Sequence, residues 1–167
     1  PPELWDPATR TFSRLPAMAT PRTYHSVALL LRDGRVWVGG GGLCSETCAT
    51  NHTDYEILTP PYLYDARGKA AVRPVLSSVS TDTPVRGSTL TVRTDRSVAG
   101  FVLVRQAGVT HTTNTDQRRI PLAFSAQPDG AWSLAIPADA GTVPSGPYFL
   151  FALDAAGVPS IATTLRI

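Results

Sequence analysis

Apolar residues along this chain come in short runs separated by Gly, Pro, Asp and Ser, which is the rhythm of β-strands rather than helices. "PELWDPATRTFSRLP" reads as two short strands around the turn "DPAT". "SVALLL", from Ser26, is a continuous apolar run and predicts a strand buried on both faces. Asp33-Gly34 in "RDGR" predicts a two-residue hairpin turn with both positions at positive φ. "VWVGGGG" is the returning strand, and "YEILTPPYLYD" is a further strand stopped by Pro60 and Pro61. From about Leu63 the texture changes. "VRPVLSSVS", "STLTVRT", "AGFVLVRQ", "RRIPLAF", "AWSLAIP", "PYFLFALD" and "SIATTLRI" predict seven short strands with turn signals between them, the pattern of an immunoglobulin-like sandwich. The expected organisation is all-β, divided into residues 1–62 and 63–167. The second part can bury a core of its own. The first, with several unpaired strand edges, is a poor independent core and reads like the end of something larger. Its opening "PPELWDP" reads as mid-domain sequence.

Composition agrees with a globular, turn-rich chain: of 167 residues 43% are hydrophobic, with 13 Gly and 15 Pro. The net charge is +2, Lys69 is the single lysine, and the arginines are dispersed. That distribution argues against a nucleic-acid partner. No apolar run is long enough to span a membrane, and no signal peptide is visible. Cys44 and Cys48, in a Gly-rich stretch, suit a small disulfide and hence an oxidising, extracellular compartment. A zinc site of Cys44, Cys48 and His52 is the rival reading. It has helical spacing in helix-hostile sequence and one ligand too few for structural zinc. Free thiols are the third reading.

Candidate chemistry is sparse. The histidines are His25, His52 and His111. His25 follows Tyr24 at the start of the "SVALLL" strand, and His111 sits in the polar stretch "GVTHTTNTDQRR", which predicts a functional loop. Neighbouring side chains of a strand point to opposite faces. Tyr24 and His25 could therefore share a site only if the chain is irregular there, as Pro21 favours. The plainer alternative is that Tyr24 packs and His25 caps a carbonyl. Gly39 to Gly42 follow a strand but precede no helix, so close backbone packing explains them better than a phosphate loop. No G-x-S-x-G elbow is present, and no two of the carboxylates are singled out.

Together, "RTYHSVALLLRDGRVWVGGGGLC", "CATNH", "TPPYLYD", "GVTHTTNTDQRRIPL" and "AAGVPSIATTLRI" closely resemble the C-terminal part of galactose oxidase and its copper-radical oxidase relatives, over essentially the whole chain. The resemblance implies that residues 1–62 are the last strands of a seven-bladed, kelch-type β-propeller and that residues 63–167 are an immunoglobulin-like, early-set domain. It implies a copper ion held by Tyr24 as axial ligand and by the imidazoles of His25 and His111. Imidazole and phenolate donors suit Cu(II). Tyr24 would take the proton of a substrate alcohol. The family's fourth ligand, a radical tyrosine joined by a thioether to a cysteine, has no counterpart in this chain. The implied partner is therefore a missing N-terminal propeller part of the same protein. The implied reaction is oxidation of a primary alcohol or carbohydrate to an aldehyde, or of an aldehyde to an acid, with O2 reduced to H2O2, by a secreted enzyme. The isolated chain is expected to be inactive. Three residues separate Cys44 from Cys48, where galactose oxidase has two, and the position of His52 is not a ligand in the family. The competing expectation, motivated by the missing radical ligand, is a non-enzymatic secreted β module that binds glycan or protein.

Overall fold

The computed structural model of the chain describes residues 1–42, 51–106 and 108–167. The expected Cys44–Cys48 disulfide lies outside the described residues. Strands β1 (Glu3–Asp6) and β2 (Thr11–Arg14) form the hairpin around "DPAT", pairing Asp6 with Thr11. Strands β3 (Ser26–Leu30), β4 (Val36–Gly40) and β5 (Tyr55–Leu58) form an antiparallel sheet in the order β3-β4-β5, and a 3-10 turn follows at Pro61–Leu63.

Two expectations for this part are corrected. The β3–β4 connection is a three-residue loop, Arg32 to Gly34. The Leu31 N–H donates to the Arg35 carbonyl (2.8 Å) and the Gly34 N–H to the Leu31 carbonyl (2.9 Å). Only Gly34 is left-handed there, at φ 82°, as in hairpins built on a type I turn followed by one glycine. The "SVALLL" strand is not buried on both faces. Ala28 is exposed and its neighbours along β3 are half-buried, because one face borders an open apolar groove of about 680 Å³ lined by Ala28, Leu30, Val36, Val102 and Phe151 among others.

The remaining strands are β6 (Leu76–Val79), β7 (Thr89–Thr94), β8 (Gly100–Arg105), β9 (Val109–Thr110), β10 (Thr113–Asn114), β11 (Arg119–Leu122), β12 (Phe124–Ala126), β13 (Trp132–Ala135), β14 (Pro147–Leu153) and β15 (Thr163–Arg166). They make two four-stranded sheets, β11-β8-β14-β15 and β12-β13-β7-β6, and the small hairpin β9-β10. "RRIPLAF", expected as one strand, divides at Ala123 into β11 and β12, which belong to opposite sheets. Between the sheets lie Leu90, Val92, Phe101, Leu103, Leu134, Tyr148, Leu150 and Leu165, all at most 1% exposed. Fully burying each such side chain contributes about 1.5–3 kcal/mol. Tyr148 satisfies its hydroxyl by donating to the Pro144 carbonyl at 2.6 Å, as the corner tyrosine of immunoglobulin-like sandwiches does.

A second apolar cluster ties the two parts together. Val102 and Val104 of β8, Phe151 of β14 and Ala162 pack with Leu30 of β3. Polar contacts reinforce the junction at the β3–β4 loop. The Arg73 guanidinium donates to the carbonyls of Asp33 (2.7 Å), Pro159 (2.7 Å) and Ser160 (2.6 Å). Arg32 Nε donates to the Ala162 carbonyl, and the Ala162 N–H returns a bond to the Arg32 carbonyl.

Candidate metal centre

Tyr24 and His25 share one site because the chain turns sharply between them and β3. The Ser26 N–H donates to the Thr23 carbonyl at 3.1 Å, closing a turn whose third residue, His25, has φ 62°. A positive φ at that position is normally the province of Gly or Asn. It breaks the alternation of an extended strand, so the two neighbouring rings end beside each other with centroids 3.9 Å apart.

The glycine run forms the wall that holds this turn. The Gly42 N–H donates to the Tyr24 carbonyl at 2.9 Å, and the Gly42 carbonyl lies 3.2 Å from His25 Nδ1. A carbonyl can only accept, so Nδ1 carries the hydrogen and Nε2 keeps its lone pair free for a metal. A Cβ on Gly40 would lie 2.9 Å from the His25 carbonyl oxygen, and Gly40 itself is at φ 73°. Close backbone packing, read from the glycines, is thus the finding, and the packed backbone is that of the Tyr24-His25 turn.

Arg22 anchors the same turn from beneath. Its side chain is only 2% exposed. It donates to the Gly40 carbonyl at 3.0 Å and the Asp54 carbonyl at 3.1 Å, and pairs with the Asp54 carboxylate at 2.8 Å. Glu56 accepts from the backbone N–H groups of Ala19 (2.9 Å) and Thr20 (3.1 Å), and Thr20 Oγ1 donates to Asp54. Hydrogen bonds from Arg22 and Thr20 hold the Asp54 carboxyl below its ordinary range. Those from the Ala19 and Thr20 backbone do the same for Glu56. Sequence reading missed Arg22, Asp54 and Glu56, and took Gly42 for packing without linking it to Tyr24 and His25. Arg22 and Asp54 are 32 positions apart and meet only through the β4–β5 register.

His111 arrives from the other part of the chain. Thr110 pairs with Thr113 and Val109 with Asn114, so His111 and Thr112 form a two-residue hairpin tip. Both have positive φ, 55° and 59°, the signature of a type I′ turn usually filled by Asn-Gly. Non-glycine residues in this region cost roughly 1–3 kcal/mol each and collect at functional sites. The hairpin base is fixed by the Asn114 side chain, which accepts from the Gln117 N–H at 3.0 Å, and by Arg105, whose Nε lies 2.9 Å from Asp116.

The hairpin tip brings the His111 ring to 5.4 Å from His25 and 5.9 Å from Tyr24, centroid to centroid. All three sequence-predicted side chains therefore face one another. His52 is used elsewhere: its N–H donates to the Gly41 carbonyl and its Nδ1 lies 4.0 Å from Asp54. No group of three His, Cys, Asp or Glu side chains among the described residues is placed to hold a metal. The candidate centre has two imidazoles and a phenol, Tyr24, which is 54% exposed. Two nitrogen donors and one oxygen donor form a set that suits Cu(II). The imidazole separation is within reach of two metal–nitrogen bonds of about 2.0 Å to one ion.

A two-sheet sandwich that presents a histidine-tipped hairpin to a Tyr-His turn defines a class. Residues 73–167 match the family model described as galactose oxidase-like, early set domain, and the chain belongs to that family. Galactose oxidase of Gibberella zeae is 44% identical over 166 residues, which cover 99% of this chain and 24% of that protein. The aldehyde oxidase GLOX of Vitis pseudoreticulata is 30% identical over 179 residues, covering 93% of this chain and 32% of its own. A solved structure of a novel fungal alcohol oxidase, in complex with copper, superposes with a TM-score of 0.91 at 41% identity. That match covers 99% of this chain and 35% of the other. The chain thus spans about a quarter to a third of the length of these relatives.

Proposed function

We propose that the chain is the C-terminal part of a secreted copper oxidase that converts primary alcohols to aldehydes, or aldehydes to acids, while O2 becomes H2O2. The observation that carries this reading is the convergence of Tyr24, His25 and His111, from separate parts of the chain, on one point. His25 and His111 would hold the copper through Nε2, with Tyr24 as the third ligand. Copper there, with the radical tyrosine expected from the upstream part, supplies two-electron redox capacity. Tyr24, 54% exposed, would act as the phenolate: its oxygen would take the hydroxyl proton of an alcohol and become the phenol. For an alcohol the balance is RCH2OH + O2 giving RCHO + H2O2.

The same reading makes residues 1–62 the terminal strands of a β-propeller and residues 63–167 the early-set domain. An upstream propeller part is then the principal partner. The open apolar groove beside β3 and the partly exposed face of that strand support such a partner. An oxidising, extracellular setting goes with the Cys44–Cys48 pair.

The test is peroxide formation by the full-length, copper-loaded gene product, offered a panel of primary alcohols and aldehydes. Peroxide that disappears in His111→Ala is expected. A copper-loaded protein that yields no peroxide with any of them contradicts the proposal and favours a glycan- or protein-binding module. The 167-residue chain alone is expected to show no turnover.

A further inference from the structure

The two imidazoles are oriented by different kinds of partner. His25 Nδ1 is held by a backbone carbonyl, that of Gly42. His111 Nδ1 lies 2.8 Å from Thr110 Oγ1, a side-chain hydroxyl. Two other hydroxyls sit nearby but serve the backbone: Thr112 Oγ1 donates to the His111 carbonyl at 2.5 Å, and Thr113 Oγ1 to the same carbonyl at 3.3 Å. Among the described residues Thr110 is therefore the side chain bonded to the His111 ring.

A histidine that binds a metal through one nitrogen needs the other fixed, both to set the tautomer and to stop the ring from turning. At His25 the turn before β3 and Gly42 just past β4 provide this. His111 has less support. It stands at an exposed hairpin tip, and among the described residues its ring neighbours lie at 5.4 and 5.9 Å. Without a bond at Nδ1 its imidazole could rotate and offer either nitrogen.

We propose that Thr110 is the positioning residue of the metal centre: its hydroxyl oxygen accepts the Nδ1 hydrogen of His111 and so aims Nε2 at the ion shared with His25 and Tyr24. Thr110 does not touch the metal. Its place directly before the tip is what makes the bond possible. His111 is the first residue of the positive-φ tip and follows Thr110, the last residue of β9, whose hydroxyl lies 2.8 Å from its Nδ1. The inference rests on the copper centre proposed above.

The test uses the full-length gene product with Thr110→Val, which keeps the branched shape and removes the hydroxyl, and Thr110→Ser, which restores it. Cu(II) affinity by chelator competition and the Cu(II) EPR spectrum are read alongside thermal unfolding of the metal-free protein. Loss of such an outer partner typically weakens metal binding about 10- to 100-fold. Thr110→Val is expected to lie in that range with altered copper hyperfine coupling, while Thr110→Ser retains the wild-type affinity and spectrum. Wild-type affinity and spectrum in Thr110→Val would overturn the proposal, as would a Thr110→Ser variant as impaired as Thr110→Val. If the wild-type protein binds no copper, or binds it unchanged in His111→Ala, the metal-centre reading itself falls and this inference with it.

Discussion

The Gly42 carbonyl oxygen lies 3.2 Å from His25 Nδ1, while the Gly42 N–H holds the Tyr24 carbonyl at 2.9 Å. One glycine thus grips two of the three residues of the candidate centre, Tyr24 and His25. The grip needs the neighbouring backbone to come very close, and Gly40 makes that approach possible.

Gly40→Ala is therefore expected to damage the centre without touching a donor atom. Its Cβ would meet the His25 carbonyl oxygen at 2.9 Å in a residue held at φ 73°. The strain corresponds to roughly 1–3 kcal/mol. Thermal unfolding should show a lower melting temperature, and copper titration should show weaker binding. Unchanged values in both would contradict the packing described for this turn.

The Arg22 network predicts acid sensitivity of the same turn. Asp54 and Glu56 have folded-state pKa values below their ordinary ones. The unfolded chain therefore binds protons more readily, and stability rises with pH across the carboxylate range. The contribution is present above the unfolded-state values, about 4, and is lost as pH falls through the lower folded-state values. Both carboxylates are partly solvated, so the effect is modest. Melting temperature measured from about pH 7 down to about pH 3 should fall less steeply in a doubly neutralised Asp54→Asn, Glu56→Gln variant than in wild type. Parallel profiles would refute the assignment.

Arg73 should matter for stability at the junction between the two parts of the chain. Its three bonds to the carbonyls of Asp33, Pro159 and Ser160 span both parts of the chain. Hydrogen bonds to a charged group are worth about 1.5–3 kcal/mol singly and do not add fully. Arg73→Ala is expected to destabilise by about 3 kcal/mol. Hydrogen exchange should show lost protection at the Gly34 and Ala162 amides, which are bonded at this junction. Retained protection at both would show that the apolar cluster around Leu30 holds the junction alone.

Strand positions were legible in the sequence because period-two alternation and turn residues are local signals. Leu90 and Val92 alternate with exposed neighbours in β7 as that pattern requires. What escaped was non-local or conformational. "RDGR" carries the glycine of both a two- and a three-residue loop, and hydrogen bonding to Arg35 selects the longer one. "RRIPLAF" is apolar enough for one strand, and only sheet pairing shows it crossing between sheets. Tyr24 and His25 were recognisable as candidates through their resemblance to a known motif. Their side-by-side geometry depends on a positive φ that no histidine announces. Arg22 looked like one more dispersed arginine until β5 brought Asp54 and Glu56 to it.

The proposed function stands on Tyr24, His25 and His111 sharing a single copper ion. The most direct measurement is nitrogen coupling in the Cu(II) EPR spectrum of the full-length gene product, compared with His25→Ala and His111→Ala. Coupling from two imidazole nitrogens is expected in wild type and from one in each variant. A wild-type spectrum without imidazole coupling, or one unchanged by either substitution, would contradict it.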